Sequence, residues 1–558
     1  MSSLVAPSHQ TRTWTIGKWS SSSETKRTGF VVAVSVLAML PVLVFGIPVN
    51  RDLSNHFRFI LPFYDAITSG NFYASWLAES NAGYGDPSFR FYPPGLYYPL
   101  ALFRFVTGDW YVATLLTFTV VAVAGGLGIY FWARSIMPAS QAMWASLIYA
   151  FAPYHLNQLY QSVLLAEWAG AAILPFVFGF AERVCANGRR RDVAGLAGCY
   201  ALLVFTHLPL AVIGSLALVV YALIRMQPQR RIRTLLQFAV AALLGLCASA
   251  IFWVTMLAEL SWIGMNEVHH EAGVDYRYNF LLSTFSPEYI NVWWMNILAL
   301  MTLLLSAPVV LLLRRSAVNE RRQLRVVVLF TLFTIFMTVP LSKPIWNALR
   351  PLQETQFPWR WLSLVSMGIA ILTAGALPLL FQSDKNTDRI KRLLIMGAMS
   401  VGVVFCLSHV IREAKFLSPR AFANTLAEVR GSQSINYWLP IGANPAAAPM
   451  AVEVEATNRA VSVQSWTPES RRFSVAAGSP TEARVRTFYY PHWTARSGEQ
   501  RLNTQADKDG VLLVSLPAEA VTVDLVFEEP RRTHVSSAVS LAGVLFIGML
   551  AVPLRRKL

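Results

Sequence analysis

Cysteine is scarce in this chain: there are four in 558 residues and none between 411 and 535. Cys199, Cys247 and Cys406 fall in apolar runs, and Cys185 falls on a connecting turn. That pattern implies no disulfide framework. Charge is also low, at 14 % of residues against 54 % hydrophobic, where soluble domains carry about 25 % charged residues. A Walker loop, a dinucleotide fingerprint, a nucleophile elbow and a zinc signature are all missing. ATP-driven transport and soluble nucleotide-sugar chemistry therefore have no support in the sequence.

What the chain has in abundance is apolar runs of membrane-spanning length. The net charge of +16 could point to nucleic acid, but its distribution argues against that partner. Of 47 Lys and Arg residues, 18 sit in short segments between apolar runs, at Arg189–Arg191, Arg230–Arg233, Arg314–Arg325, Lys385–Arg392 and Arg555–Lys557. This is the positive-inside pattern of a multi-pass protein. Spans are expected near 29–48, 110–133, 139–153, 164–184, 193–206, 209–225, 235–256, 291–313, 324–342, 360–381, 391–410 and 536–553. Twelve spans put every basic cluster and both termini on the cytoplasmic side. The first apolar run is too long for a secretion signal, and no small-residue cleavage site follows it.

Four regions are expected. Residues 1–28 form a Ser/Thr-rich basic tail, cytoplasmic and disordered. Residues 29–410 form a mainly α, polytopic helix bundle with a long first outer loop, 49–109. Residues 95–106 are apolar but short, so they read as re-entrant or interfacial. Residues 411–535 alternate in period two at 451–456, 484–490, 511–516 and 521–527 and read as a β-sandwich-like outer domain. Residues 536–558 supply a last span and a basic tail.

The first outer loop holds the densest chemistry. Asp52, His56 and Arg58 fall within seven residues, followed by Trp76, Gly83-Tyr84-Gly85-Asp86-Pro87 and Phe91-Tyr92-Pro93-Pro94. Long ordered loops are usually functional. Asp52 reads as a general base or metal ligand at the membrane edge, or as a helix N-cap. His56 lies one helical turn on, so the two share a face. Arg58 reads as an interface anchor. Gln356-Phe357-Pro358-Trp359-Arg360 opens another span, and Arg360 offers either a phosphate-binding fork or a headgroup anchor. Glu167 interrupts an apolar stretch, which is costly and functional by default, although a structural pairing with Tyr154 or His155 also fits. His207 breaks an apolar run at His-Leu-Pro209 and caps the corner. His269-His270-Glu271 has the composition of a metal site but no second ligand spacing.

Taken together these blocks resemble the bacterial membrane proteins called 6-pyruvoyl-tetrahydropterin synthase-related. Tyr149–Tyr154, Leu165-Ala-Glu167, Thr206-His207-Leu-Pro209, Gln356–Arg360 and Tyr489-Tyr-Pro-His492-Trp493 extend the resemblance over most of the chain. One departure is His492, where relatives usually carry Gly. Nothing resembles a pterin synthase zinc site. The topology is similar to GT-C glycosyltransferases, including YfhO-like membrane proteins. That resemblance implies a catalytic acid in the first outer loop, here Asp52 with His56, and a polyprenyl-phosphate sugar donor in the outer leaflet.

The implied protein is a multi-pass enzyme of the bacterial inner membrane. It would pass a sugar to an envelope glycan, lipid or protein acceptor. Arg360, with Lys343 and Arg350, would hold the donor phosphate, and Glu167, His207, Tyr92 and Trp359 would support the site. No cofactor is required by this reading, and a divalent metal is compatible with it. The alternative is a non-enzymatic transporter, flippase or assembly partner for lipid-linked glycans. Against it, no paired repeats or matched broken helices stand out. The topology has a direct check: a cysteine placed at Ser479 should be labelled from outside the cell, and one placed at Ser316 should not.

Overall fold

The structure is a computed structural model, and it describes residues 22–264, 273–285, 290–314, 322–381, 386–431, 438–445 and 450–552. Among these, seven helices are long and apolar enough to cross a bilayer: Trp110–Ala133, Leu165–Ala186, Leu208–Arg225, Pro228–Ala248, Pro358–Leu380, Arg389–His409 and Arg531–Ala551. An eighth span is made if Gln323–Phe336 and Pro340–Ala348 count as one, bent by 89°. Twelve were expected; Ser22–Ala38 and Arg190–Thr206 have 17 residues each, and three other expected runs are interrupted. The run 139–153 stops at Ala150, and Pro153 opens a separate helix, Pro153–Tyr160, because proline cannot continue the turn before it. Pro308 divides Ile290–Leu305 from Val309–Arg314. The run 235–256 breaks at Ser249, whose hydroxyl bonds back to the Gly245 carbonyl at 2.9 Å.

That last break is held open by the final helix. The Ser540 hydroxyl accepts the Ile251 N–H at 2.8 Å, which satisfies a donor freed by the break. Gly543 lies so close to Ala248 that a Cβ there would stand 2.6 Å from its backbone nitrogen. The segment expected to be re-entrant or interfacial is the 11-residue helix Tyr97–Thr107. At 1.5 Å per residue it covers roughly 16 Å, about half of a bilayer core.

Two features set the segment 49–109 in place. Strand β1 (Ile47–Pro48) pairs antiparallel with β2 (Phe416–Leu417), so the chain leaving the first helix is tied to the chain leaving the helix Asn386–Glu413. Then Arg51–Thr68 forms an amphipathic helix whose Leu53, Phe57, Ile60 and Leu61 are buried. It ends at Gly70, whose φ of +97° closes the last turn.

The C-terminal region carries nine antiparallel strands in two sheets. One runs β3 (Val454–Ala456), β6 (Thr481–Phe488), β10 (Val511–Leu516), β9 (Thr504–Ala506). The other runs β4 (Val461–Trp466), β5 (Ser470–Val475), β11 (Val521–Phe527), β7 (Trp493–Ser497), β8 (Gln500–Leu502). Buried Val, Leu, Phe and Trp side chains from both sheets form one core. The segment 49–109 joins that core. Trp76 is fully buried against Trp493, Phe527 and Tyr490. Tyr84 stacks on Phe488 at 5.1 Å, and its carbonyl accepts the Phe488 N–H at 2.8 Å.

A buried ionic hub fastens the strands to the helices. The Glu259 carboxylate is fully buried at the end of the helix Ala250–Glu259. It accepts from Arg90 at 2.7 Å, Tyr490 at 2.6 Å and Arg532 at 2.7 Å, and bonds His492 at 2.9 Å. Arg90 also donates to Glu529 at 2.6 Å. Glu259→Ala would leave the Arg90 guanidinium buried without its main counter-charge. The expected cost is about 3–5 kcal/mol. Glu528→Ala, which removes an exposed pair with Arg496, should cost no more than about 1 kcal/mol. Thermal unfolding of the two variants in detergent checks the contrast.

Candidate active site

Asp52 stands in the first turn of Arg51–Thr68, where the helix dipole favours a carboxylate. It accepts from Asn55 at 3.4 Å. His56 is buried one turn later and shares a 2.9 Å hydrogen bond with the Tyr97 hydroxyl. Arg58 donates to Asn55 at 3.0 Å.

Tyr92 is where the separated sequence blocks meet. Its ring stacks on Phe59 at 5.3 Å and leans on Trp438 at 5.2 Å. Burial raises the Tyr92 pKa, the charges of Asp52 and Glu167 raise it further, and Arg360 opposes them. Tyr97 is also raised by burial, then by its neighbours Tyr92 and Asp52. Two carboxylates and one guanidinium, from three distant parts of the chain, thus act on one phenol.

Arg360 and Glu167 are bound to each other. Arg360 Nε donates to Glu167 Oε2 at 3.0 Å, and Nη1 donates to the Thr355 carbonyl. The other Glu167 oxygen accepts from Tyr154 at 2.6 Å and Gln158 at 2.9 Å. The structural pairing of Glu167 with Tyr154 is therefore present, while His155 instead accepts from Trp168 at 3.1 Å. The Arg360 fork also lies over the Phe357 ring at 4.8 Å, which stacks on buried Trp359 at 4.5 Å. Backbone strain flanks this pair: Val163 has φ +53° and Gln356 has φ +65°, a region that β-branched and bulky residues rarely enter.

His207 caps the helix Leu208–Arg225, its Nδ1 accepting the Leu210 N–H at 3.2 Å. Burial lowers its affinity for a proton, and the charges of Arg360 and His56 lower it further. So Asp52, His56, Tyr92, Glu167, His207, Trp359 and Arg360 share one neighbourhood. Lys343 and Arg350 do not join this buried group. Both are exposed on short helices, Lys343 above the Phe280 ring and Arg350 beside Glu354 at 3.6 Å. His269, His270 and Glu271 lie outside the described residues. Among those described, no three His, Cys, Asp or Glu side chains gather as a metal cage.

Sequence reasoning missed Tyr97, Gln158 and Trp438. Tyr97 had a signal, since it follows Tyr92-Pro-Pro at the start of an apolar helix. Gln158 and Trp438 had none, because nothing in their local spacing marks a partner so far along the chain.

Residues 89–416, more than half of the chain, match the family described as 6-pyruvoyl-tetrahydropterin synthase related domain, membrane protein. The chain belongs to this family. No curated protein matches it in sequence. Among solved structures it is similar to the arabinofuranosyltransferase AftD from Mycobacteria, with 15 % identity and a TM-score of 0.44 over 70 % of this chain. The chain spans 27 % of that protein's length. ArnT from Cupriavidus metallidurans, solved bound to undecaprenyl phosphate, gives 15 % identity and a TM-score of 0.41 over 73 % of this chain and 74 % of its own. The arabinosyltransferase EmbB from Mycobacterium smegmatis gives 13 % and 0.36 over 90 % of this chain and 62 % of its own.

Burial lowers the His56 imidazole from 6.5 to about 4. Because the folded value is the lower one, the stability it contributes is complete above the unfolded value and is lost as pH falls toward the folded value. By pH 5 the loss should be on the order of 2 kcal/mol. His56→Gln should flatten the acid side of a pH series of thermal unfolding. An acid side unchanged by the substitution would remove His56 as its cause.

Proposed function

We propose that this protein is a membrane glycosyltransferase. It takes a sugar from a polyprenyl-phosphate donor and passes it to an envelope glycan, lipid or protein acceptor at the outer face of the bacterial inner membrane. In this topology both termini are cytoplasmic and the strands β3–β11 stand outside. One observation carries the reading: Asp52, from the first outer loop, and Arg360, from the start of a late span, both act on Tyr92. A carboxylate and a guanidinium that both influence one phenol would supply a base and a phosphate ligand to a substrate bound beside it. Family membership and the GT-C resemblance of the sequence blocks support the same reading.

The chemistry follows from the groups present. The acceptor hydroxyl gives its proton to the Asp52 carboxylate as its oxygen forms a bond to the anomeric carbon. The bond from that carbon to the phosphate oxygen breaks, and the phosphate keeps the electron pair. Arg360 stabilises the charge that develops on it. Glu167 acts on Arg360 and not on substrate: it fixes Nε and so aims the rest of the fork. Neutral, buried His56 holds Tyr97, which borders Tyr92 and Asp52. Tyr92 and Trp438, partly exposed and backed by the buried Phe59 ring, would give a sugar ring a flat surface to lie against.

The test is a transfer assay on purified protein with a panel of polyprenyl-phosphate sugars. Asp52→Asn keeps size and hydrogen bonding and removes the base. Turnover should fall by about a hundredfold to ten-thousandfold, with little change in the unfolding temperature. Arg360→Lys should recover only part of the donor binding lost in Arg360→Ala, since lysine lacks the fork. Full turnover by Asp52→Asn with an accepted donor would sink the assignment of the base.

A further inference from the structure

At the opposite end of the bundle from Asp52 lies a cavity of about 650 Å³. One wall is the start of the helix Arg190–Thr206, whose other end meets His207. Its 17 residues put roughly 25 Å between the cavity and the Asp52 group. The second wall is the start of Arg231–Ala248, and the end of the last helix closes the site at Leu550. Gln237 ties the two walls together by donating to the Gly188 carbonyl at 2.7 Å.

Arg190, Arg230, Arg231 and Arg233 line this cavity, and no acid does. None of the four makes an ion pair among the described residues. Asp192, the acid on the same turn as Arg190, is committed to Arg183 at 2.8 Å. A positive-inside bias accounts for arginines on this face. It does not account for four unpaired ones around a single hollow.

The helix ends sharpen the imbalance. Neither Arg190–Thr206 nor Arg231–Ala248 has a side-chain cap, and the second has no acid in its first turn. A helix N-terminus carries a partial positive charge, so Arg231 and Arg233 stand where cations are disfavoured. An anion would relieve that repulsion. The remaining wall is apolar and open to lipid: Ile232 is 76 % and Leu236 62 % exposed. A ligand that satisfies the whole hollow is therefore anionic at one end and greasy at the other.

We propose that this cavity seats a phosphate ester borne by a membrane lipid, the headgroup of an anionic phospholipid. The arginines fork onto the phosphate oxygens, and an acyl chain lies along Ile232, Leu236 and Val240.

The experiment uses the full chain, delipidated in a neutral detergent and read by native mass spectrometry. The probes are phosphatidylglycerol, phosphatidylcholine with the same chains, and inorganic phosphate. Phosphatidylglycerol should bind at least about tenfold more tightly than phosphatidylcholine. The double variant Arg230→Gln/Arg233→Gln should lower phosphatidylglycerol affinity by about tenfold or more, roughly what two arginines supply at an anionic surface. Arg501→Gln, on the outer strands, should leave it unchanged. Equal binding of the two lipids overturns the proposal, as does a folded double variant with undiminished phosphatidylglycerol binding. Displacement of the lipid by inorganic phosphate at equal concentration overturns the assignment to a lipid source. Should the double variant not fold, phenylglyoxal footprinting of the unmodified chain decides instead. Phosphatidylglycerol, and not phosphatidylcholine, should protect Arg190, Arg230, Arg231 and Arg233, and absence of that protection overturns the proposal.

Discussion

One buried carboxylate holds the two halves of this molecule in register. Glu259 gathers donors from the segment 49–109, the β7 entrance and the last helix. Each donor comes from a different layer, so none can shift without uncovering a charge where water cannot reach it. Unpairing such a group costs several kcal/mol, a large share of the stability of any domain. The hub therefore fixes the strand region against the bundle. Through Arg90, Trp76 and Tyr84 it also fixes the loop that begins at Asp52. The Tyr-Tyr-Pro-His-Trp block belongs to this joint. Tyr490 and His492 bind Glu259, and Trp493 packs on Trp76. That block is scaffold, and His492 supplies a bond that the usual Gly could not make.

The breaks in the helices serve the same end. A straight twelve-helix bundle would bury its polar residues at costly depth. Instead the chain turns at Pro153, Ser249 and Pro340, and short pieces such as Pro153–Tyr160 carry Tyr154 and Gln158 to Glu167. Irregular backbone inside a membrane protein survives where it is covered by other protein. Tyr154, His155 and Gln158 are all buried.

How much of this was legible in the sequence depended on the range of the interaction. Period-two alternation located β10 and β11 to the residue, because a strand in a sheet with one buried face reports its own environment. The shared face of Asp52 and His56 was legible for the same reason, being one helical turn. The span count was less so. Apolar composition marks burial and membrane alike, and it does not see that Ser249 or Pro308 stops a helix. Glu167 stood out by the cost of a charge in an apolar stretch, and it is buried with Tyr154 and Gln158 as partners. Its pairing with Arg360 was not legible, since no local pattern links the two. Lys343 and Arg350 misled for the converse reason: proximity to Arg360 in sequence says nothing about exposure. Glu259 went unnoticed because one acid near the end of an apolar run is unremarkable until its four partners are seen.

The pairing of Arg360 with Glu167 limits how a phosphate can be held. On the proposed function, a phosphodiester arriving at this guanidinium would have two routes. It can displace Glu167 and take the whole fork, or it can use the nitrogen that remains. Displacement strands a carboxylate that is 2 % exposed, a penalty of about 3–5 kcal/mol. Keeping the pair forgoes one charge-assisted hydrogen bond, worth about 1.5–3 kcal/mol. The second route costs less. Nε is spent on Glu167 and one Nη1 N–H on the Thr355 carbonyl, so Nη2 and the second Nη1 N–H are the donors the proposed phosphate would use. Glu167 and Thr355 fix the direction of the Arg360 guanidinium, as a rigid scaffold would for the role proposed for it. The strained backbone at Gln356, beside Thr355, is the local cost of holding that carbonyl in place.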